Sequence, residues 1–397
     1  MPLNFLRNFI KMEASAGIVL FVAALVAIVV DNSPLAPYVE EFFELPLTIQ
    51  IGSYTLSKHL LHWINDGLMV PFFLLVGSEI KRELVVGELN TPSKVILPAL
   101  SALGGMLVPA LIFSAFNWGN DYAMRGWAIP TATDIAFSLG ILSLLGSRVP
   151  ASLKVFLTAL AIFDDLGAII IIAIFYTAEL SLLSLVMAFA CVIILILLNR
   201  FNVLGYGPYL LVGAALWLSL VHSGVHATLA GVILALAIPL KSGQGAGHGF
   251  SPSENLVRKL HPWVAYMVLP LFAFANAGVS FSDVPPGIGN ILSPVMMGIG
   301  FGLLCGKLLG VFGVSFLAVK LGLAAQPSNS NWAQMLGIAL VCGVGFTMSF
   351  FVGTLAYPDT TNEAYAAWVR LGVIFGSLAS GLLGYVVLKL TTKRPAI

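Results

Sequence analysis

The stretch LKVFLTALAIFDDLGAIIIIAIFY (153–176) decides the fold class. It is long and apolar enough to cross a hydrocarbon core of about 30 Å as one helix. Asp164 and Asp165 stand in its middle. A charged carboxylate at the centre of a bilayer costs about 2.5–3.5 kcal/mol on insertion scales, so a pair there calls for a chemical reason rather than a packing one.

The rest of the chain has the same character. Of 397 residues, 59% are hydrophobic and 9% charged, the composition of a polytopic, all-α integral membrane protein. The net charge of +1 implies no nucleic-acid partner, and the charges cluster in short connections between apolar blocks. Cys191, Cys305 and Cys342 lie inside apolar segments without metal-ligand spacing, and read as small buried hydrophobes. Arg7 and Lys11 ahead of the apolar run 16–30 imitate a signal peptide, but no small-x-small cleavage site follows. Asp31-Asn32-Ser33-Pro34 stops the helix instead, so this is the first span.

Apolar blocks predict twelve helices, at 12–30, 59–80, 95–116, 123–144, 150–176, 181–199, 206–221, 223–240, 257–279, 294–318, 334–356 and 364–389. The stretch 206–240 is the ambiguous one. As a single helix it would run to roughly 50 Å, too long for the core. Positive charge decides for two short helices turning at His222-Ser223-Gly224. Twelve spans put 15 Lys and Arg on one side and 3 on the other, with Lys307 in the membrane, whereas merging the two gives 9 against 9. The excess marks the cytoplasmic side and both termini. On the outer face, 47–51 and 54–57 flank Gly52-Ser53, which predicts a small β-hairpin within 45–58. A hairpin is marginal alone, so it should pack on something or pair with a second subunit. The stretch 241–256 begins rich in Gly and Ser and reads as a flexible cytoplasmic loop.

Asp134, Asp164, Asp165 and Lys307 are the ionisable residues placed at depth, with Asp66 nearer a helix end. Adjacent helical residues point about 100° apart, so Asp164 and Asp165 address different partners. Lys307 should pair with one of them, because an unpaired buried lysine discharges. Three carboxylates cannot all be neutralised by one lysine. The excess must be protonated, hydrated or occupied by a cation, which is what a proton or cation site needs.

Two spans carry interruptions. IPTATD (129–134) puts Pro130 and two threonines in the fourth, and CGVGFT (342–347) puts Gly343 and Gly345 in the eleventh. Non-helical backbone at membrane depth belongs where it lines a cavity or is buried in protein. Spans 3–5 and 10–12 begin on opposite sides, each triplet with its interrupted helix in the middle. That is the pattern of an inverted-topology repeat whose unwound helices, 4 and 11, cross at the site. Asp134 and Lys307 are suited to offset the partial charges of the helix ends.

The runs IPTATDIAF (129–137), ALAIFDDLGAIIIIAIFY (159–176), SGVHATLAGVI (223–233), HPWVAY (261–266), LPLFAFANAG (269–278) and CGVGFTMS (342–349) closely resemble the NhaA family of Na⁺/H⁺ antiporters, known inverted-repeat transporters. The resemblance runs nearly end to end and implies a single polytopic transporter domain, 1–397, in a bacterial inner membrane. It implies that Asp165 is the principal cation-binding and proton-carrying carboxylate, with Asp164 beside it paired to Lys307. Thr133 matches a ligand of the transient Na⁺, and Asp134 a compensating charge. Glu79, Arg82 and Glu83 match a cytoplasmic cluster that switches activity with pH, and His226 and His261 match histidines linked to that response. Glu254 lies in the same region, but LHPW (260–263) aligns the family's usual acidic and histidine positions with Val257 and Arg258. Leu308 stands where a proline is usual, and Pro71 lies inside the second helix. The outer hairpin matches a homodimer contact. No cofactor is implied; Na⁺, Li⁺ and H⁺ are the transported ions, and two protons exchange for one sodium.

Two other classes use buried acids. An intramembrane aspartyl hydrolase needs two acids on separate helices, and the chain has no GxGD motif. A cation channel usually builds its acid ring by oligomeric symmetry, whereas these acids lie within one subunit.

Overall fold

In hydrocarbon a backbone N–H or C=O has no water to bond, so apolar segments satisfy these groups internally as helices. The computed structural model describes residues 14–51, 54–87, 92–177, 181–240, 251–280, 292–358 and 363–392. Among them, eight helices are long and apolar enough to cross a membrane, or up to ten if each of two bent helix pairs is one span. The bent pairs are Ser15–Asp31 with Ala36–Glu44, at 110°, and Trp332–Val341 with Phe346–Ala356, at 44°.

The chain forms two compact units interleaved in sequence. The first comprises the described residues of Met1–Leu35, Thr91–Ala168 and Asn276–Ile397, and the second those of Ala36–Asn90 and Ile169–Ala275. In the first unit, the helix Pro92–Asn117 lies against the span Pro294–Lys320. Gly104 and Gly310 let these backbones meet, since a Cβ on either would strike the other helix, and the Ser101 and Ser315 hydroxyls bond at 2.7 Å beside them. Small residues and buried hydroxyls are how helices associate where lipid offers no hydrophobic contrast. The last helix, Glu363–Thr391, packs along Pro294–Phe301 and Trp332–Val341.

In the second unit, Leu182–Arg200 packs on Tyr206–Val221, and Met69–Val85 on Leu229–Ala237. Leu195, Tyr209, Leu216, Leu234 and Ala235 form the centre of that core. Lys81 Nζ donates to the carbonyls of Leu236 and Ile238 at 2.7 and 2.6 Å, capping the short helix where its C-terminal carbonyls lack partners. Strand β1 (Pro46–Ile51) pairs antiparallel with β2 (Tyr54–His59), Ile51 opposite Tyr54; the turn at Gly52-Ser53 lies outside the described residues. Trp63 Nε1 donates to the Leu47 carbonyl at 3.1 Å and ties the hairpin to the following helix.

Several sequence expectations shift. The stretch 206–240 is two helices, but the second spans only Leu229–Ala237 instead of 223–240. Residues 222–228 turn through Gly224 at φ 81° and hydrogen bonds such as Leu229 N–H to the His226 carbonyl. The ninth apolar block begins as a helix at Pro252, capped by Ser251, rather than at 257. The loop expected at 241–256 is therefore helical from 252 onward, and 241–250 lie outside the described residues. Pro71 lies inside the continuous helical span Leu60–Val85, just after a π-helical stretch, Trp63–Leu68, the kind of local irregularity that accompanies a break in the hydrogen-bond ladder. Cys342 is fully buried, while Cys191 and Cys305 are half-buried.

Candidate functional site

The site is built where two interrupted helices meet inside the first unit. In the span Asp121–Arg148, a 3₁₀ turn over Arg125–Thr131 contains Pro130, the chain is extended at Ala132 and Asp134, and a helix resumes at Ile135–Leu145. Proline forbids a regular helical ladder at that point, and Asp134 restarts the helix as its N-cap, accepting from Phe137 N–H at 2.9 Å. In the other, Trp332–Val341 stops at Cys342 and the helix resumes at Phe346–Ala356. Gly343 and Gly345 are required by space: a Cβ at 343 would run into the Leu303 carbonyl and the Ser380 hydroxyl, and one at 345 into Ser349 and Leu303. Phe346 sits at φ 22°, outside the regions favoured by L residues, a conformation that costs about 1–3 kcal/mol and must be held by its surroundings.

The two breaks satisfy each other's loose backbone groups. Ser138 and Thr133 hydroxyls donate to the terminal carbonyls of Val341 and Cys342 at 3.3 and 2.9 Å. Asp134 N–H donates to the Val344 carbonyl at 2.8 Å, and Ser349 donates to the Ile129 carbonyl at 2.8 Å. Asp134 Oδ2 accepts from Thr347, both from its N–H at 3.1 Å and from its hydroxyl. One carboxylate therefore faces the positive ends of two half-helices, where anions are favoured.

Asp164 joins this network from the helix Ala151–Phe175. Its Oδ2 accepts from Lys307 Nζ at 2.6 Å and from the Thr133 hydroxyl at 2.6 Å. Both side chains of the ion pair are fully buried. A hydroxyl carries one proton, so Thr133 serves Asp164 or the Cys342 carbonyl, one at a time. Asp164 Oδ1 has no hydrogen-bond partner among the described residues. Asp165 is equally buried, 1% exposed, and points about 100° away around the same helix. Lys307 sits between two π-helical turns, Gly302–Gly306 and Leu308–Phe312, a local widening of the helix of a kind that recurs at functional sites.

Thr133, Asp134, Asp164, Asp165, Lys307, Pro130, Gly343 and Gly345 thus share one unit. Glu79, Arg82, Glu83, His226, Glu254 and His261 belong to the other. There Arg82 and Glu83 form a pair at 2.9 Å, 41% and 19% exposed. Glu79 lies one turn before Arg82 on the same helix. His226 bonds the Thr228 hydroxyl at 2.7 Å through Nδ1 and approaches Asp66 at 3.8 Å through Nε2. Glu254 and His261 are exposed on Pro252–Trp263, where Val257 is buried and Arg258 bonds Asn255 at 3.2 Å. Thr347 and Ser377 were not singled out from the sequence. Serines and threonines in apolar helices usually bond their own preceding turn, so their pattern carries little signal.

The Na⁺/H⁺ antiporter 1 family model matches residues 7–388. The chain belongs to that family. It is 54% identical over 399 residues to the Na(+)/H(+) antiporter NhaA of Rhodospirillum rubrum, covering 100% of both chains. It is 52% identical over 394 residues to the Na(+)/H(+) antiporter NhaA of Pseudomonas putida strain GB-1, covering 99% of each. Its fold is similar to that of the sodium proton antiporter MjNhaP1 from Methanocaldococcus jannaschii at pH 8, with a TM-score of 0.56 over 99% of both chains at 16% identity. The protein is a multi-pass membrane protein of that family, whose relatives are named as Na(+)/H(+) antiporters.

Proposed function

We propose that this protein is a secondary antiporter of a bacterial inner membrane, exchanging cytoplasmic Na⁺ or Li⁺ for external H⁺. The observation that carries the reading is the charge imbalance at the two breaks: Asp134, Asp164 and Asp165 are each at most 2% exposed, with Lys307 the one fully buried cation among the described residues. Carboxylates in excess at that depth must hold protons or a cation. Asp165 binds the cation and carries protons, with Asp164 and Thr133 as further oxygen ligands. Hard monovalent cations suit such oxygens, and no resident cofactor is needed. Asp134 compensates the half-helix ends and Lys307 holds the charge of Asp164.

Competition between cation and proton for one site is enough to couple the two fluxes. The site is exposed alternately to either side, by movement of the two interrupted spans as the crossing helices of an inverted repeat, 3–5 and 10–12, in a twelve-helix chain with both termini cytoplasmic. Two protons against one sodium move one net charge per cycle, worth about 2.3 kcal/mol per 100 mV. Glu79, Arg82, Glu83, His226, Glu254 and His261 set the pH at which exchange begins. The outer hairpin joins two copies in a homodimer.

The test is proton flux in sealed proteoliposomes holding a pH gradient, with Na⁺, Li⁺ or K⁺ added. Collapse of the gradient by Na⁺ and Li⁺ but not K⁺ is expected. A gradient indifferent to all three from acidic to alkaline pH would overturn the reading.

A further inference from the structure

Ser377 lies on the last helix, Glu363–Thr391, and is 3% exposed. Its Oγ accepts from the backbone N–H of Gly345 and of Phe346, each at 3.2 Å. These two groups open the half-helix Phe346–Ala356, whose first N–H groups have no carbonyl of their own helix to bond. Its N-cap residue, Gly345, brings no side chain to do so. The next N–H along, that of Thr347, goes to Asp134. The start of this half-helix is therefore capped from two other helices, by a neutral hydroxyl and by a carboxylate.

We propose that Ser377 is a positioning residue for the cation site: its hydroxyl caps the interrupted span in trans, fixing Thr347 and, through it, Asp134. The inference rests on the antiport reading above. Phe346 reaches its unfavourable backbone angle with its ring against Phe137 and Phe350, at 5.3 and 5.2 Å between centroids. Ring packing fixes the side chain, while the Ser377 oxygen meets the two N–H groups that the turn exposes. Ser380, one turn further and fully buried, packs its Oγ against Gly343 yet has no hydrogen-bond partner among the described residues. It gives a matched control, with the same chemistry and the same helix face but no cap.

An alanine at 377 would strand two N–H groups in a buried setting, and the break would relax to find them acceptors. Because the hydrogen bonds that Ser377 accepts come from backbone N–H groups of the break, the loss should fall on how well the site holds its ion rather than on the number of working transporters. In proteoliposomes, Ser377→Ala should raise the apparent KM for Na⁺ about tenfold, the size of two lost hydrogen bonds partly recovered as the break relaxes, with Vmax within about twofold. Ser377→Thr, which keeps the hydroxyl, should stay within about twofold of the parent KM. Ser377→Cys, with a weak acceptor of similar size, should fall between, and supplies the answer if the alanine variant does not fold. Ser380→Ala should leave KM unchanged. Hydrogen exchange at residues 345–347 should quicken in Ser377→Ala and not in Ser380→Ala.

A parent-like KM in Ser377→Ala or Ser377→Cys, a threonine variant no better than alanine, or an equal effect from Ser380→Ala would overturn the proposal. Unchanged protection at 345–347 beside normal exchange by the unaltered protein would remove the Ser377 inference alone. Absence of Na⁺-driven flux in the unaltered protein would remove the antiport reading, and the positioning role with it.

Discussion

The polar groups of the two compact units are held in different ways. In the first, Asp134, Thr133, Asp164 and Lys307 are almost fully buried, and each is bonded to another buried group or to a loose helix end. In the second, the pair Arg82–Glu83 is partly exposed, and His226 meets Asp66 only at 3.8 Å. A buried charge that loses its partner costs several kcal/mol, whereas an exposed pair contributes about 0–1 kcal/mol. The first region should thus respond to substitution in an all-or-none way and the second by gradual shifts. The proposed division, with site chemistry in one and pH tuning in the other, accords with that contrast.

The largest effect should come from Asp165→Asn, which removes the titratable carboxylate while keeping its shape. Exchange should fall at least about a hundredfold while the protein still purifies as a folded species, a size of effect in keeping with removal of an essential acid–base group. Parent-like exchange in this variant would break the contrast at its centre. Lys307→Ala should follow. Leaving Asp164 buried without its cation should cost about 3–5 kcal/mol, seen as a clear drop in thermal stability in detergent. Gly343→Ala forces a methyl into the Leu303 carbonyl and Ser380. Overpacking of about 1–3 kcal/mol at the break should reduce exchange about tenfold or more.

In the second region the same experiments should give smaller numbers. Arg82→Ala should leave Vmax within about twofold and move the pH of half-maximal exchange by about a unit or less, because a partly exposed pair contributes only about 0–1 kcal/mol. A loss of exchange as deep as that of Asp165→Asn would erase the distinction between the two regions.

Much of the first region was legible in the chain. Two aspartates in an apolar run, one buried lysine, a proline before Thr131-Ala132-Thr133-Asp134 and paired glycines at 343 and 345 each conflict with an ordinary membrane helix, and such conflicts mark a site. Their mutual arrangement was not legible. That Asp134 caps two half-helices, or that Ser377 caps one, depends on contacts between segments more than 200 residues apart or on neighbouring helices. Hydrophobic pattern carries no information about such contacts. The short helix Leu229–Ala237 was misjudged at its start because Val225 and Ala227 carry the apolar spacing back past its first residue. What stops it is local turn geometry at Gly224 and the His226–Thr228 bond, which hydropathy does not register. The helix Ala36–Glu44 was missed because its charged residues read as a connection.

The most direct measurement is the proton release that accompanies Na⁺ binding to the purified protein in weakly buffered detergent, repeated across pH and with Asp165→Asn. If cation and protons compete for one site, Na⁺ should release protons, its affinity should weaken as pH falls through the range where the site is protonated, and the variant should do neither. Na⁺ binding with no proton release and an affinity independent of pH would contradict exchange at a shared carboxylate site.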